Sequence, residues 1–230
     1  EENLNKNMNK VNSDVLKNGN LTAEYKEEVL SDDKLAYESR QCSLLGRKET
    51  LMGRAQFGIF GDGKELAQIA LAKTFENGDF RSGYYRDQTF AFYTGMSDKK
   101  HFFYQLYGET DVTKEHACGG RSMNNHFATR LLDENGKWKN LMKMKNTSSD
   151  IAPTAAQMHR LLGLAYASKL YRHNAELAYL KEFSVNGNEV AFGTIGNAST
   201  SEGVFYEAIN AAGVLMVPLA MSIWDDGFGI

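Results

Sequence analysis

Apolar residues recur at helix-like intervals across residues 21–56, at Tyr25, Val29, Leu30, Leu35, Leu44, Leu45, Leu51 and Met52. This spacing predicts one long helix. Glycines break the pattern over residues 57–63, and it resumes over residues 64–75, with Leu66, Ile69, Ala70 and Phe75 on one face. A second glycine-marked loop carries Gly83, Tyr84, Tyr85, Arg86 and Asp87, and a further helix is expected around residues 89–107. Residues 108–153 are polar, with a Gly119-Gly120 pair and an Asp133-Glu134-Asn135-Gly136 turn, and read as irregular loop of the length that tends to form sites. Residues 154–180 read as a strong helix. Residues 190–195 form a short apolar run, as expected of a strand buried on both faces. The run stops at Gly196-Asn197-Ala198. Ser199, Thr200 or Ser201 then offers a helix N-cap, with Glu202 in the first turn. A helix over residues 204–212 should end at Gly213, with a second buried strand over residues 214–223. Together these make a β-α-β unit with parallel strands and a right-handed crossover.

The fold class is therefore α/β, in a single domain over residues 21–230. Residues 1–20, rich in Asn and Lys, read as a mobile extension. The hydrophobic fraction of 42% is ordinary for a globular protein, so the core needs no disulfide or metal to support it. A net charge of -3 and a pI near 6.0 argue against a nucleic-acid binder. No apolar run approaches the ~18 residues of a membrane span, and the polar start does not resemble a signal peptide. Cys42 and Cys118 are too few and too far apart for a disulfide framework or metal site, and read as buried or free thiols in a cytoplasmic protein. The Asn-x-Ser/Thr matches at Asn20, Asn146 and Asn197 are read as chance.

Ligands of open parallel sheets bind beyond the carboxyl ends of the strands. Here those ends carry Gly196-Asn197-Ala198 and Asp225-Asp226-Gly227, and the helix between them aims free N–H groups at the same space. A diphosphate suits such a helix start. Asn197 and Asp226 fall on adjacent connections and can meet on one hard cation such as Mg²⁺, which takes carboxylate, amide and phosphate oxygens. The alternative is plain turn chemistry, which favours the same residues. The run from Gly58 to Lys64 also fits the glycine-rich pattern of a nucleotide P-loop. It is read as a decoy, because Glu65 follows instead of Ser or Thr and a helical segment precedes it.

Longer stretches carry a specific resemblance. They are Gly196-Asn197-Ala198-Ser199-Thr200-Ser201-Glu202-Gly203, Glu207-Ala208-Ile209-Asn210, Val217-Pro218 and Asp225-Asp226-Gly227-Phe228-Gly229-Ile230. They resemble the thiamine-diphosphate motif of the alpha subunits of 2-oxo-acid dehydrogenases. Gly83-Tyr84-Tyr85-Arg86-Asp87 resembles that family's Tyr-Arg signature, and the segment from Gly119 to His126 resembles its Gly-Arg-x-Met-x-x-His segment, nearest to branched-chain members. Ser148-Ser149 through Gln157, with the helix after it, resembles the segment along the cofactor's pyrimidine side.

The resemblance implies a thiamine-diphosphate-binding fold, with a largely parallel sheet flanked by helices on both faces. It implies oxidative decarboxylation of a 2-oxo acid, with acyl transfer to a lipoyl group on an acyltransferase partner. It implies Tyr85, Arg86, Gly196, Ala198 and Ser199 as cofactor contacts. Asn197, Asp226 and the Phe228 carbonyl become the Mg²⁺ ligands, and Gly63-Lys64-Glu65 a helix cap. His126 would orient substrate or cofactor, unless it is structural. It also implies a beta half, fused or separate, that supplies the activating glutamate, and an alpha2-beta2-like or homo-oligomeric assembly. The isolated fragment is then expected to show no turnover. This sequence departs from the family at the metal. The acidic ligand is Asn197 and the second Asn is Asp226, an exchange that conserves net ligand charge. A transketolase-like enzyme and a non-catalytic assembly relic remain as alternatives.

Overall fold

The computed structural model describes residues 15–17 and 20–228. The expected mobile extension lies mostly outside the described residues, as do Gly229 and Ile230. Of the extension, Leu16–Lys17 (β1) and Asn20–Leu21 (β2) pair antiparallel. Thr22 then caps the long helix α1 (Ala23–Leu51), its hydroxyl accepting the Tyr25 N–H at 3.2 Å.

Most of the apolar residues that signal α1 are not those it buries, although Leu35 packs against the core. Leu30 and Leu51 are 68% and 82% exposed, whereas Ser39, Cys42, Ser43, Gly46 and Glu49 face inward. Small residues let the helix approach closely. Phe60 and Phe102 fill the space over Gly46, where a Cβ would overlap the Phe60 ring. The polar part of this seam is satisfied by α3 (Gln88–Tyr93), because the Ser39 and Thr89 hydroxyls bond at 2.7 Å and Gln88 donates to the Ser39 carbonyl at 2.8 Å. Between α1 and α3 lies α2 (Glu65–Lys73), and burial raises the Cys42 thiol to about 11, consistent with an inert buried cysteine.

The functional end of the fold is built on a four-stranded parallel sheet in the order β4-β3-β5-β6, formed by β3 (Phe80–Ser82), β4 (Asn146–Thr147), β5 (Ala191–Gly196) and β6 (Leu219–Trp224). β5 separates two cores. Ala191 and Ile195 point to one face, where they pack with Met158, Leu161 and Ala165 of α5 (Gln157–His173) and Ala208 of α6 (Gly203–Leu215). Phe192 points to the other face and packs with Ala72, Phe75 and Phe90. Helices thus cover both faces, as the α/β reading expects.

Several boundaries differ from expectation. The helix expected around residues 89–107 is two: α3 stops, Gly95 turns the chain at φ 73°, and Asp98 caps α4 (Lys99–Leu106) by accepting the His101 N–H at 2.7 Å. β3 and β4 were not anticipated. They are only three and two residues long, and their buried members include Arg81, Asn146 and Thr147. None of Ser199, Thr200 and Ser201 caps α6. These residues form a 3-10 turn (Ala198–Ser201), and the cap position falls to Glu202, with no side-chain bond. Gly213 does not end α6; the chain leaves it at Met216, in the left-handed region at φ 48°. The second strand starts at Leu219, later than expected.

Candidate functional site

Parallel pairing of β5 with β6 sets Gly196 opposite Trp224, so both strands deliver their connections to one edge of the sheet. The Asn197 N–H donates to the Trp224 carbonyl at 3.3 Å and holds the two connections together. Beyond them lies a small cleft of about 140 Å³, lined by Tyr84, Tyr85, Arg86, Gly196, Asn197, Ala198, Ser199, Trp224, Asp226 and Phe228. Every residue expected to touch cofactor or metal is in this set. His126 is not.

The Tyr84-Tyr85-Arg86 wall is positioned from two sides. Gln68 of α2 donates to the Arg86 carbonyl at 2.7 Å, while its side-chain oxygen accepts the N–H groups of Thr89 and Phe90. Gly61 lies against the same carbonyl, where a Cβ would overlap it. From below, Arg81 is fully buried and uses every arm. Its Nε donates to Asp87 at 2.7 Å, its Nη1 to Thr147 and Asp150 at 2.9 and 3.0 Å, and its Nη2 to the Tyr84 carbonyl at 2.9 Å. Asp87 also accepts from the Thr194 hydroxyl and from the Trp224 indole at 3.2 Å. One buried carboxylate thereby ties the Tyr-Arg loop to both strands of the cleft. Gln68, Arg81 and Asp150 were missed in the sequence. The one signal was an arginine in the short stretch just before the glycine loop. Among the described residues, the Arg86 guanidinium makes only a 3.4 Å bond, to the Phe60 carbonyl, which leaves it available to an anion.

His126 belongs to the segment from Gly119 to His126, which docks on the loop before α2. Asn124 accepts the Ile59 N–H at 2.8 Å and donates to the Ile59 carbonyl at 2.7 Å. His126 stacks on Tyr85 with ring centroids 6.2 Å apart, so it stands behind the cleft wall. Its Nδ1 lies 3.1 Å from the Asn124 carbonyl, an acceptor, so Nδ1 carries the proton and the buried, unpartnered Nε2 carries the lone pair. Burial pushes its pKa down, which keeps the ring neutral.

The glycine pair upstream is shaped by Glu115, fully buried, which accepts the N–H groups of Ala117, Cys118 and Gly120. Burial alone would raise this carboxyl. The bonds from Cys118, Gly120 and His101 outweigh burial and hold it down at about 2. His101 lies 2.7 Å from Glu115, yet burial and the stacked His116 push its own pKa down. We therefore assign a neutral His101 that donates its Nε2–H to Glu115 and accepts the Ser97 hydroxyl proton at Nδ1.

The expected helix cap is not formed at α2, whose cap residue Lys64 makes no side-chain cap bond; instead both Glu65 oxygens accept the N–H of Gly63 before it, at 3.0 and 2.9 Å. The residue between them had no expected role beyond the decoy pattern. Lys64 lies 2.7 Å from Asp226, with its side chain 10% exposed. The other Asp226 oxygen accepts the Phe228 N–H at 3.2 Å, and the lysine bond leads in pulling the carboxyl below its ordinary range. The residues in place do not suit a divalent ion. Among the described residues, the one carboxylate lining the cleft, Asp226, already pairs with the Lys64 ammonium. They do suit a diphosphate: Arg86 is nearly uncommitted, and the first N–H groups of the Ala198–Ser201 turn have no acceptor inside it. The sequence also matches a family model described as dehydrogenase E1 component, over residues 40–230.

Proposed function

The chain belongs to the dehydrogenase E1 component family, whose members depend on thiamine diphosphate, and from that premise we propose that the cleft at the ends of β5 and β6 grips the cofactor's diphosphate for the decarboxylation of a 2-oxo acid. The observation that carries this is the convergence of Arg86, Tyr85, Asn197 and Ser199 on one small polar cleft. When bound, thiamine diphosphate supplies an electron sink for loss of CO₂ from a 2-oxo acid. The chain's own residues orient it. Arg86 offers a planar fork to phosphate oxygens, and the turn from Ala198 offers backbone N–H groups. Tyr84, whose hydroxyl burial keeps protonated, backs the wall. His126 presents a neutral ring with a free Nε2 lone pair behind Tyr85 and is a positioning residue.

The substrate class favoured is a branched-chain 2-oxo acid, from the Gly-Arg-x-Met likeness at Gly120-Arg121-Ser122-Met123. The acyl acceptor is the lipoyl group of an acyltransferase partner, and a beta half completes the site. Supporting a covered flank, α6 and the end of β6 expose Tyr206, Val214, Met216 and Phe228, at 64, 74, 80 and 79%. Calorimetric titration of the full-length assembled protein with thiamine diphosphate tests the reading. Arg86→Ala should weaken binding by about tenfold to a hundredfold, the range for loss of a charge-assisted bond. Unchanged affinity would refute the role of this cleft, and no binding by the unaltered protein would favour the assembly relic.

A further inference from the structure

We propose that Lys64 stands in for the divalent cation, so that this cleft takes a diphosphate without bound metal; the inference rests on the cofactor reading above. Among the described residues, Asp226 supplies the one carboxylate lining the cleft and Arg86 the one guanidinium. A diphosphate brings several negative charges. An uncompensated Asp226 would repel it at short range, and a bound cation is the usual remedy. Here the remedy is built into the chain. The Lys64 ammonium lies 2.7 Å from one Asp226 oxygen, and its side chain is nine-tenths shielded from solvent.

Lys64 is also placed by backbone structure rather than by reach alone. It sits at the cap position of α2, and the flanking Gly63 N–H is held by both oxygens of Glu65. With the Phe228 N–H on the other Asp226 oxygen, each oxygen of the carboxylate accepts one bond from the chain. The cleft is left with one net positive charge from Arg86 and one amide, Asn197, whose side chain bonds to no other group among the described residues. This is an anion site rather than a cation site. The exchange of amide and carboxylate between the two strand ends thus acquires a partner at a third position. An aspartate at 226 is tolerated beside a diphosphate because a lysine at 64 cancels it.

The test is calorimetric titration of thiamine diphosphate into the full-length assembled protein, in excess EDTA and in excess magnesium. The unaltered protein should bind in both, with affinities within about threefold. Magnesium alone should give no saturable heat. Lys64→Met should weaken binding in EDTA by about tenfold or more, with recovery in magnesium, because Asp226 is then free to take the ion. Lys64→Met/Asp226→Asn should bind in EDTA again, which a merely structural lysine would not produce. Binding by the unaltered protein only in magnesium would overturn the proposal and leave the cofactor reading intact. Absence of binding in both buffers would overturn both. If Lys64→Met does not fold, the two titrations of the unaltered protein and of Asp226→Asn still decide, since both should resist EDTA.

Discussion

Arg81 joins the fold to the site, and its removal should be felt in both. Replacing it by Met keeps length and apolar bulk but leaves the carboxylates of Asp87 and Asp150 facing each other. Their side chains are 0% and 1% exposed. The change also removes the donors to Thr147 and the Tyr84 carbonyl, and the guanidinium's contact with the Phe127 ring at 5.6 Å. Breaking a buried ion pair from one side costs about 3–5 kcal/mol. In a domain of this size that lowers the melting temperature by about 10 °C. Arg81→Lys should recover little, because one ammonium cannot reach both carboxylates and the carbonyl from a single position. The assay is thermal unfolding of the full-length protein by circular dichroism, with cofactor titration on the folded variants. Cofactor affinity should fall as well, because the Tyr84 carbonyl and Asp87 that fix the loop lose their common donor. A melting temperature for Arg81→Met within about 2 °C of the unaltered protein, less than about 1 kcal/mol, would refute the reasoning. It would mean that the two carboxylates are neutralised by proton uptake at little cost.

Glu115 sets an acid limit. Its folded pKa, about 2, lies below the ordinary 4.5, so its stabilisation is present above pH 4.5 and is lost as the pH falls towards 2. The full shift corresponds to about 3 kcal/mol. Glu115→Gln should therefore flatten the fall in urea midpoint over that window, and parallel profiles for the two proteins would dismiss the assignment. Gly83→Ala should destabilise by about 1–3 kcal/mol and weaken cofactor binding, since a Cβ there would overlap the Asp87 carboxylate, the Arg81 Nε and the Thr194 hydroxyl. Thermal melts and titration check it, and a neutral result would show that the network yields easily.

How far the molecule was legible in its sequence depended on whether the forces at each place were local. β5 was visible because a strand buried on both faces needs an apolar run, and β6 because its run is apolar too, although it is an edge strand and only partly buried; their carboxyl ends follow from parallel pairing. The cleft residues at 196–199 and 226–228 came with them. β3 and β4 were invisible for the opposite reason. Two or three residues carry no period, and their buried positions hold Arg81, Asn146 and Thr147, which are interior only because distant partners satisfy them. Asp150 joins Arg81 from a segment read as loop, and no spacing rule links positions so far apart. The long helix misled in a subtler way. Its leucines gave the right element, yet the face it buries is a seam of serines, Cys42 and Gly46, chosen by close approach to α3 and by Phe60. Lys64 unites both kinds of failure. The glycine-rich run before it fits a local nucleotide-binding pattern, but neither the next residue nor the preceding segment does. Its partner Asp226 was read separately, as half of a metal pair. Only the fold brings the ammonium to the carboxylate, and that contact changes the chemistry inferred for the cleft from holding a cation to holding an anion directly.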